Sequence, residues 1–114
     1  MLAKKYRFHS RGGVRYTYKH GTPVRHPKIS LTYNPNSRGK QRFAVVVSKK
    51  VLKSAVARNR IRRRVYEAIR ATLPTLKQPT DYIFTIYSKD IKDLAFPDLQ
   101  ALIVDLLKQT NTLN

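Results

Sequence analysis

The densest chemistry in this sequence is one word, Arg58-Asn59-Arg60-Ile61-Arg62-Arg63-Arg64, with five arginines in seven residues and no acid to pair them. A guanidinium is a planar fork that donates two parallel hydrogen bonds, a geometry matched to phosphate oxygens. Asn59 both donates and accepts, so it suits a 2′-hydroxyl, a base edge or a neighbouring arginine. The plain alternative is a solvated charged face. Like charges at helical spacing repel, however, and nothing here offsets them. Basicity alone does not separate DNA from RNA.

Other chemistries lack their parts. A two-metal nuclease needs several converging carboxylates. This chain has 6 acids, and all but Glu67 lie beyond residue 70. Asp90 and Asp93 fall in an expected loop, where they cap or face solvent. The histidines are His9, His20 and His26, and no pair has metal-ligand spacing on a helix. His20 before Gly21 reads as a helix-end residue or a phosphate contact. With no cysteine, disulfides, thiolate zinc sites and cysteine nucleophiles are excluded. We therefore expect no catalytic and no metal-binding residue.

The arginine word needs a helix to display it. From about Ala55 to Leu73, Ala57, Ile61, Val65, Ala68, Ile69 and Thr72 fall on one side. Asn59, Arg63, Tyr66 and Arg70 cluster opposite, Arg60 and Arg62 flank them, and Pro74 stops the helix. Upstream, Phe43–Val47 is a continuous apolar run with β-branched residues, as in a central strand, ended by Ser48-Lys49-Lys50. Lys28–Tyr33 alternates with period two and predicts a half-buried strand, followed by turn formers over Asn34–Gly39. Asp81–Tyr87 predicts another buried strand. Residues 14–20 read as a short helix with Val14 and Tyr18 on one face and Gly21 at its C′ position. Pro97 fits the first turn of a last helix, 97–109, striped by Leu99, Leu102, Ile103, Leu106 and Leu107. The order α-β-β-α-β-α makes one α+β domain over residues 1–114, with 1–10 a flexible basic arm.

Charge is segregated along this order. Residues 1–70 hold 20 of the 24 lysines and arginines and one acid, a net of +19, against −1 for residues 71–114. A polyanion is the simplest partner for such a surface. No apolar run reaches the roughly 18 residues of a membrane span. The basic N-terminus lacks the apolar stretch of a secretory signal, so a cytoplasmic protein without membrane contact is expected.

Three words stand in register: Tyr18-Lys19-His20-Gly21-Thr22, the strand Phe43–Val47 ending in Ser48-Lys49-Lys50 before Arg58-Asn59-Arg60, and Asp81-Tyr82-Ile83. Together they resemble the protein subunit of bacterial ribonuclease P over about residues 10–107. The resemblance implies an α-β-β-α-β-α sandwich like ribosomal protein S5 domain 2, with a rare left-handed βαβ crossover. It implies that Arg58, Asn59, Arg60, Arg62 and Arg63 bind the catalytic RNA subunit, with Lys49, Lys50 and Lys53 extending that surface. A separate cleft between the first helix and the sheet would hold the single-stranded 5′ leader of precursor tRNA. By position it would use Val14, Tyr18, Thr32 or its neighbour Tyr33, near Lys19 and Arg42. Val14 and Thr32 stand where the family usually has aromatics; Tyr16, Tyr18 and Tyr33 offer stacking faces, or else core packing. The implied role is accessory: RNA carries the catalysis and most of the Mg²⁺, and the protein needs no obligate protein partner. A ribosomal structural protein, a major-groove DNA reader and a protein nuclease are the rivals. A strand ahead of the arginine helix opposes the second, and missing carboxylates oppose the third.

Overall fold

The computed structural model describes residues 6–8, 11–72 and 79–110. Its elements are α1 (Arg11–His20), β1 (Thr22–Val24), β2 (Ile29–Pro35), β3 (Arg42–Val47), α2 (Ala55–Thr72), β4 (Thr80–Ile86), a 3-10 turn (Lys89–Lys92) and α3 (Phe96–Lys108). The sheet runs β1-β2-β4-β3. Central β4 is antiparallel to β2 and parallel to β3, so α2 is the crossover between two parallel strands.

Period-two alternation sorts the side chains onto two faces. Ile29 and Leu31 of β2, Phe43, Val45 and Val47 of β3, and Tyr82, Phe84 and Ile86 of β4 share one face. Ile61, Val65, Ala68 and Ile69 of α2 and Leu99, Ile103, Leu106 and Leu107 of α3 close over it as the main core. Each large apolar side chain buried this way is worth about 1.5–3 kcal/mol. On the opposite face Ala44 and Ile83 form a smaller cluster with Phe8, against which Val14 and Val46 pack. Helix α1 lies there, against β2 and β4.

Several features depart from the sequence expectations. The run Phe43–Val47, expected to be a central strand, lies at an edge of the sheet, and Tyr87, expected within a buried strand, is exposed just past the end of β4. Strand β1 is additional: Thr22-Pro23-Val24 is short and contains a proline, which only a sheet edge tolerates. Residues 6–8 of the expected flexible arm are packed. Arg7 pairs with Phe43, the Phe8 N–H donates to the Phe43 carbonyl at 2.9 Å, and the Phe8 ring is buried. The remainder of the arm, like Leu73 and Pro74, lies outside the described residues. Tyr66, expected on the exposed side of α2, is buried, because that side of the helix faces the outer edge of β3, whose Val45 backbone bonds its hydroxyl. Gly21 does follow the end of α1, but its need is space. A Cβ there would lie 2.5 Å from the Thr17 carbonyl oxygen and 2.8 Å from that of Tyr33.

Candidate nucleic-acid interface

Because α1 covers β2 and β4, the β3 side of that face stays open. A groove of about 980 Å³ follows it. Ala44, Val45 and Val46 form its floor, Val14, Arg15 and Tyr18 of α1 one wall, and Val56, Asn59, Arg62, Arg63 and Tyr66 of α2 the other. Arg7 and Phe8 complete the lining. Val14 and Tyr18 reach the groove because they are four residues apart, on one face of α1.

Tyr18 is held at its tip, where its hydroxyl and the Thr85 Oγ1 share a 2.6 Å hydrogen bond. Burial pushes its phenol pKa up, yet 42% of the residue is exposed, so the ring still offers a surface. Tyr66 is a structural counterpart. Burial raises its pKa, and the Arg7 guanidinium lies 5.7 Å from its ring centroid.

The arginine word divides by role. Arg58 Nη1 donates to the Leu52 carbonyl at 2.9 Å and the Lys53 carbonyl at 2.8 Å, fixing the loop ahead of α2. The Ser54 hydroxyl caps the same end by accepting from the Ala57 N–H at 3.2 Å. That loop presents Lys49, Lys50 and Lys53 to solvent. Asn59 Oδ1 accepts from Arg62, the neighbouring-arginine option among its three. Arg60 and Arg63 are exposed. Arg64 turns away, donating to the carbonyls of Ile91 and Lys92, each at 2.7 Å, and to that of Leu94. It is a clamp for the 3-10 turn.

Val14 and Tyr18 therefore share one groove with Asn59, Arg62 and Arg63, where two separate surfaces were expected. Thr32, Tyr33, Lys19 and Arg42 do not line it. Thr32 is buried beneath the end of α1, where a Cβ on Gly21 would come within 2.9 Å of its methyl. Tyr33 points to the opposite face and packs on the main core. Arg42 is spent on Asp81, with Nε and Nη2 at 2.9 and 2.8 Å, and its guanidinium sits 4.6 Å over the Phe8 ring. The carboxylate holds the Arg42 pKa above its ordinary value. Sequence reasoning missed Arg7, Phe8, Arg15, Ala44, Val45, Val46, Val56 and Tyr66 as groove residues. The alternation Tyr6-Arg7-Phe8 was a usable strand signal, and Tyr66 was the lone aromatic on a guanidinium face.

Three of the six acids face the chain's own cations: Asp81 meets Arg42, Asp90 lies 3.6 Å from Lys28, and Glu67 lies 3.6 Å from Arg70. Among the described residues no three His, Asp or Glu side chains gather where they could hold a metal ion. No helix among the described residues is long and apolar enough to cross a membrane.

Fold and groove define a small, strongly basic α+β protein with a cationic helix beside an apolar groove. The family model described as Ribonuclease P matches residues 2–111. A ribonuclease P protein component from Chloroflexus aurantiacus is 38% identical over 108 residues, covering 95% of this chain and 79% of that one. Another from Clostridioides difficile is 34% identical, covering 85% of this chain and 84% of its own. The solved ribonuclease P protein of Staphylococcus aureus superposes with TM-score 0.82 at 24% identity, over 96% of this chain and 98% of that one. That of Thermotoga maritima has TM-score 0.80 at 21% identity, over 90% and 96%. The chain belongs to the ribonuclease P protein component family.

Proposed function

We propose that this chain is the accessory protein subunit of ribonuclease P, helping a catalytic RNA remove the 5′ leader of precursor tRNA. The observation that carries this reading is the groove. It sets Tyr18 and Val14 on one wall and Asn59, Arg62 and Arg63 on the other. A single strand laid along it can stack bases on the α1 side and place phosphates near the guanidinium side. Arg60 and Arg63, with Lys49, Lys50 and Lys53, bind the RNA subunit by charge. Arg58 acts through the loop it fixes. Thr32, beneath α1, and Arg42, over the Phe8 ring, act as supports of the cleft, and Tyr33 serves the core on the opposite face. Lys19, exposed beside Tyr18, attracts leader phosphates. Mg²⁺ is held mainly by the RNA.

The test is binding by the assembled enzyme to precursor and mature tRNA. Tyr18→Ala should weaken precursor binding about tenfold and leave mature tRNA binding nearly unchanged, since only the precursor has a leader. Arg60→Ala with Lys53→Ala, both outside the groove lining, should weaken assembly with the RNA subunit. Equal losses on both tRNAs from both variants would refute two distinct roles.

A further inference from the structure

Tyr87, just beyond the end of β4, is 53% exposed although it is hydrogen-bonded at both its backbone N–H and its hydroxyl. Its N–H donates to the Lys28 carbonyl at 2.8 Å. Its hydroxyl accepts from the Ser30 hydroxyl at 3.0 Å, and Ser30 is buried. The Ser88 hydroxyl accepts from the Asp90 N–H at 3.1 Å and holds the chain that follows. A tyrosine that merely filled the sheet would be covered, as Tyr82 is. Fixing both ends of an aromatic ring while leaving its surface open removes most of the entropy cost of stacking something on it.

The position matters as much as the exposure. Ser30 and Thr85 are directly opposed in the β2–β4 register. Tyr87 is anchored on the first and Tyr18 on the second. Opposed residues stand about 5 Å apart, so the two hydroxyls meet the sheet at neighbouring points. Proximity to Tyr87 also contributes to the raised Tyr18 pKa. Lys89 and Lys28, the latter 3.6 Å from Asp90, stand at the same end of the sheet, both exposed.

We propose that Tyr87 is a second stacking platform, which takes the leader nucleotide next to the one on Tyr18 and so extends the groove toward the C-terminal end of β4. This rests on the leader-binding reading above. The polar anchors and the exposed Lys89 favour a nucleotide over an apolar protein partner.

The experiment uses the assembled enzyme and precursor tRNAs carrying 2-aminopurine at successive leader positions, with mature tRNA as reference. Stacking quenches the probe, so the wild type should show quenching at two adjacent positions. Tyr18→Ala should relieve one and Tyr87→Ala the other. Tyr87→Ala should also weaken binding about tenfold for leaders long enough to reach it, and not for shorter leaders or mature tRNA. Tyr87→Phe keeps the ring and should retain the quenching. Tyr87→Ala without effect on any position would overturn the proposal. So would an equal loss on mature tRNA, which would mark a fold defect or a surface for another partner. A wild-type enzyme that binds precursor and mature tRNA alike would instead overturn the underlying reading.

Discussion

At the scale of single residues, the least replaceable groups lie beside the groove rather than in it. Asp81 accepts two bonds from Arg42 and one from Asn36 Nδ2 at 2.8 Å, and its side chain is only 9% exposed. Asp81→Ala would strand a half-buried guanidinium and free the turn that Asn36 ties through the Lys40 carbonyl. We expect a loss of about 3 kcal/mol, read by chemical denaturation. Gly21→Ala should cost about 2–3 kcal/mol, because the new methyl meets backbone oxygens that cannot swing aside. Both losses should exceed that of Arg63→Ala, an exposed site. Tyr66 adds a pH signature. Its phenol holds its proton in the folded state beyond the ordinary value of 10.0. The unfolded chain then releases that proton first, so stability is complete below about pH 10 and falls as pH rises through the folded value. Tyr66→Phe should flatten this decline when thermal midpoints are compared below and above pH 10.

At the scale of elements, each helix and strand answers to one dominant local signal, and legibility followed that signal. The stripe Ile61, Val65, Ala68, Ile69 and the runs of β3 and β4 were readable because periodicity matches burial. Strand β1 was not, since three residues with a proline carry no period and exist only by pairing with β2. Tyr66 was misassigned because a helix pattern shows which face is apolar, not that the edge of β3 covers part of the other. Thr32 and Tyr33 illustrate the same limit. Adjacent strand residues point to opposite faces, and neither position reaches the groove. Glycine in α1 is a separate matter. A Cβ at Gly12 would meet nothing within 4 Å. Gly12→Ala should therefore stabilise the protein by about 0.5 kcal/mol, detectable as a raised thermal midpoint, by lowering the freedom of the unfolded chain.

At the scale of the molecule, a formal charge of +18 on 114 residues makes its behaviour a function of ionic strength. RNA affinity should fall steeply as salt rises, with a log–log slope of about −0.7 to −0.9 per phosphate neutralised. Arg60→Ala with Arg63→Ala should reduce that slope by about two, one for each guanidinium removed from a phosphate. A titration across salt concentrations measures it, and an unchanged slope would show that neither residue touches the RNA. Circular dichroism should show the free protein gaining order when sulfate or phosphate is added at low ionic strength. The placement of β4 bears on how the protein is made. This strand is the last of the sheet to be synthesised, yet it lies between β2 and β3 and pairs with both along their lengths. Until Thr80–Ile86 leaves the ribosome, both partner strands lack their inner neighbour and nearly all of the positive charge is already out. Folding therefore waits for one late, distant segment, and such long-range closure is slow. During that interval the emerging chain is an unfolded polycation in a cell full of RNA.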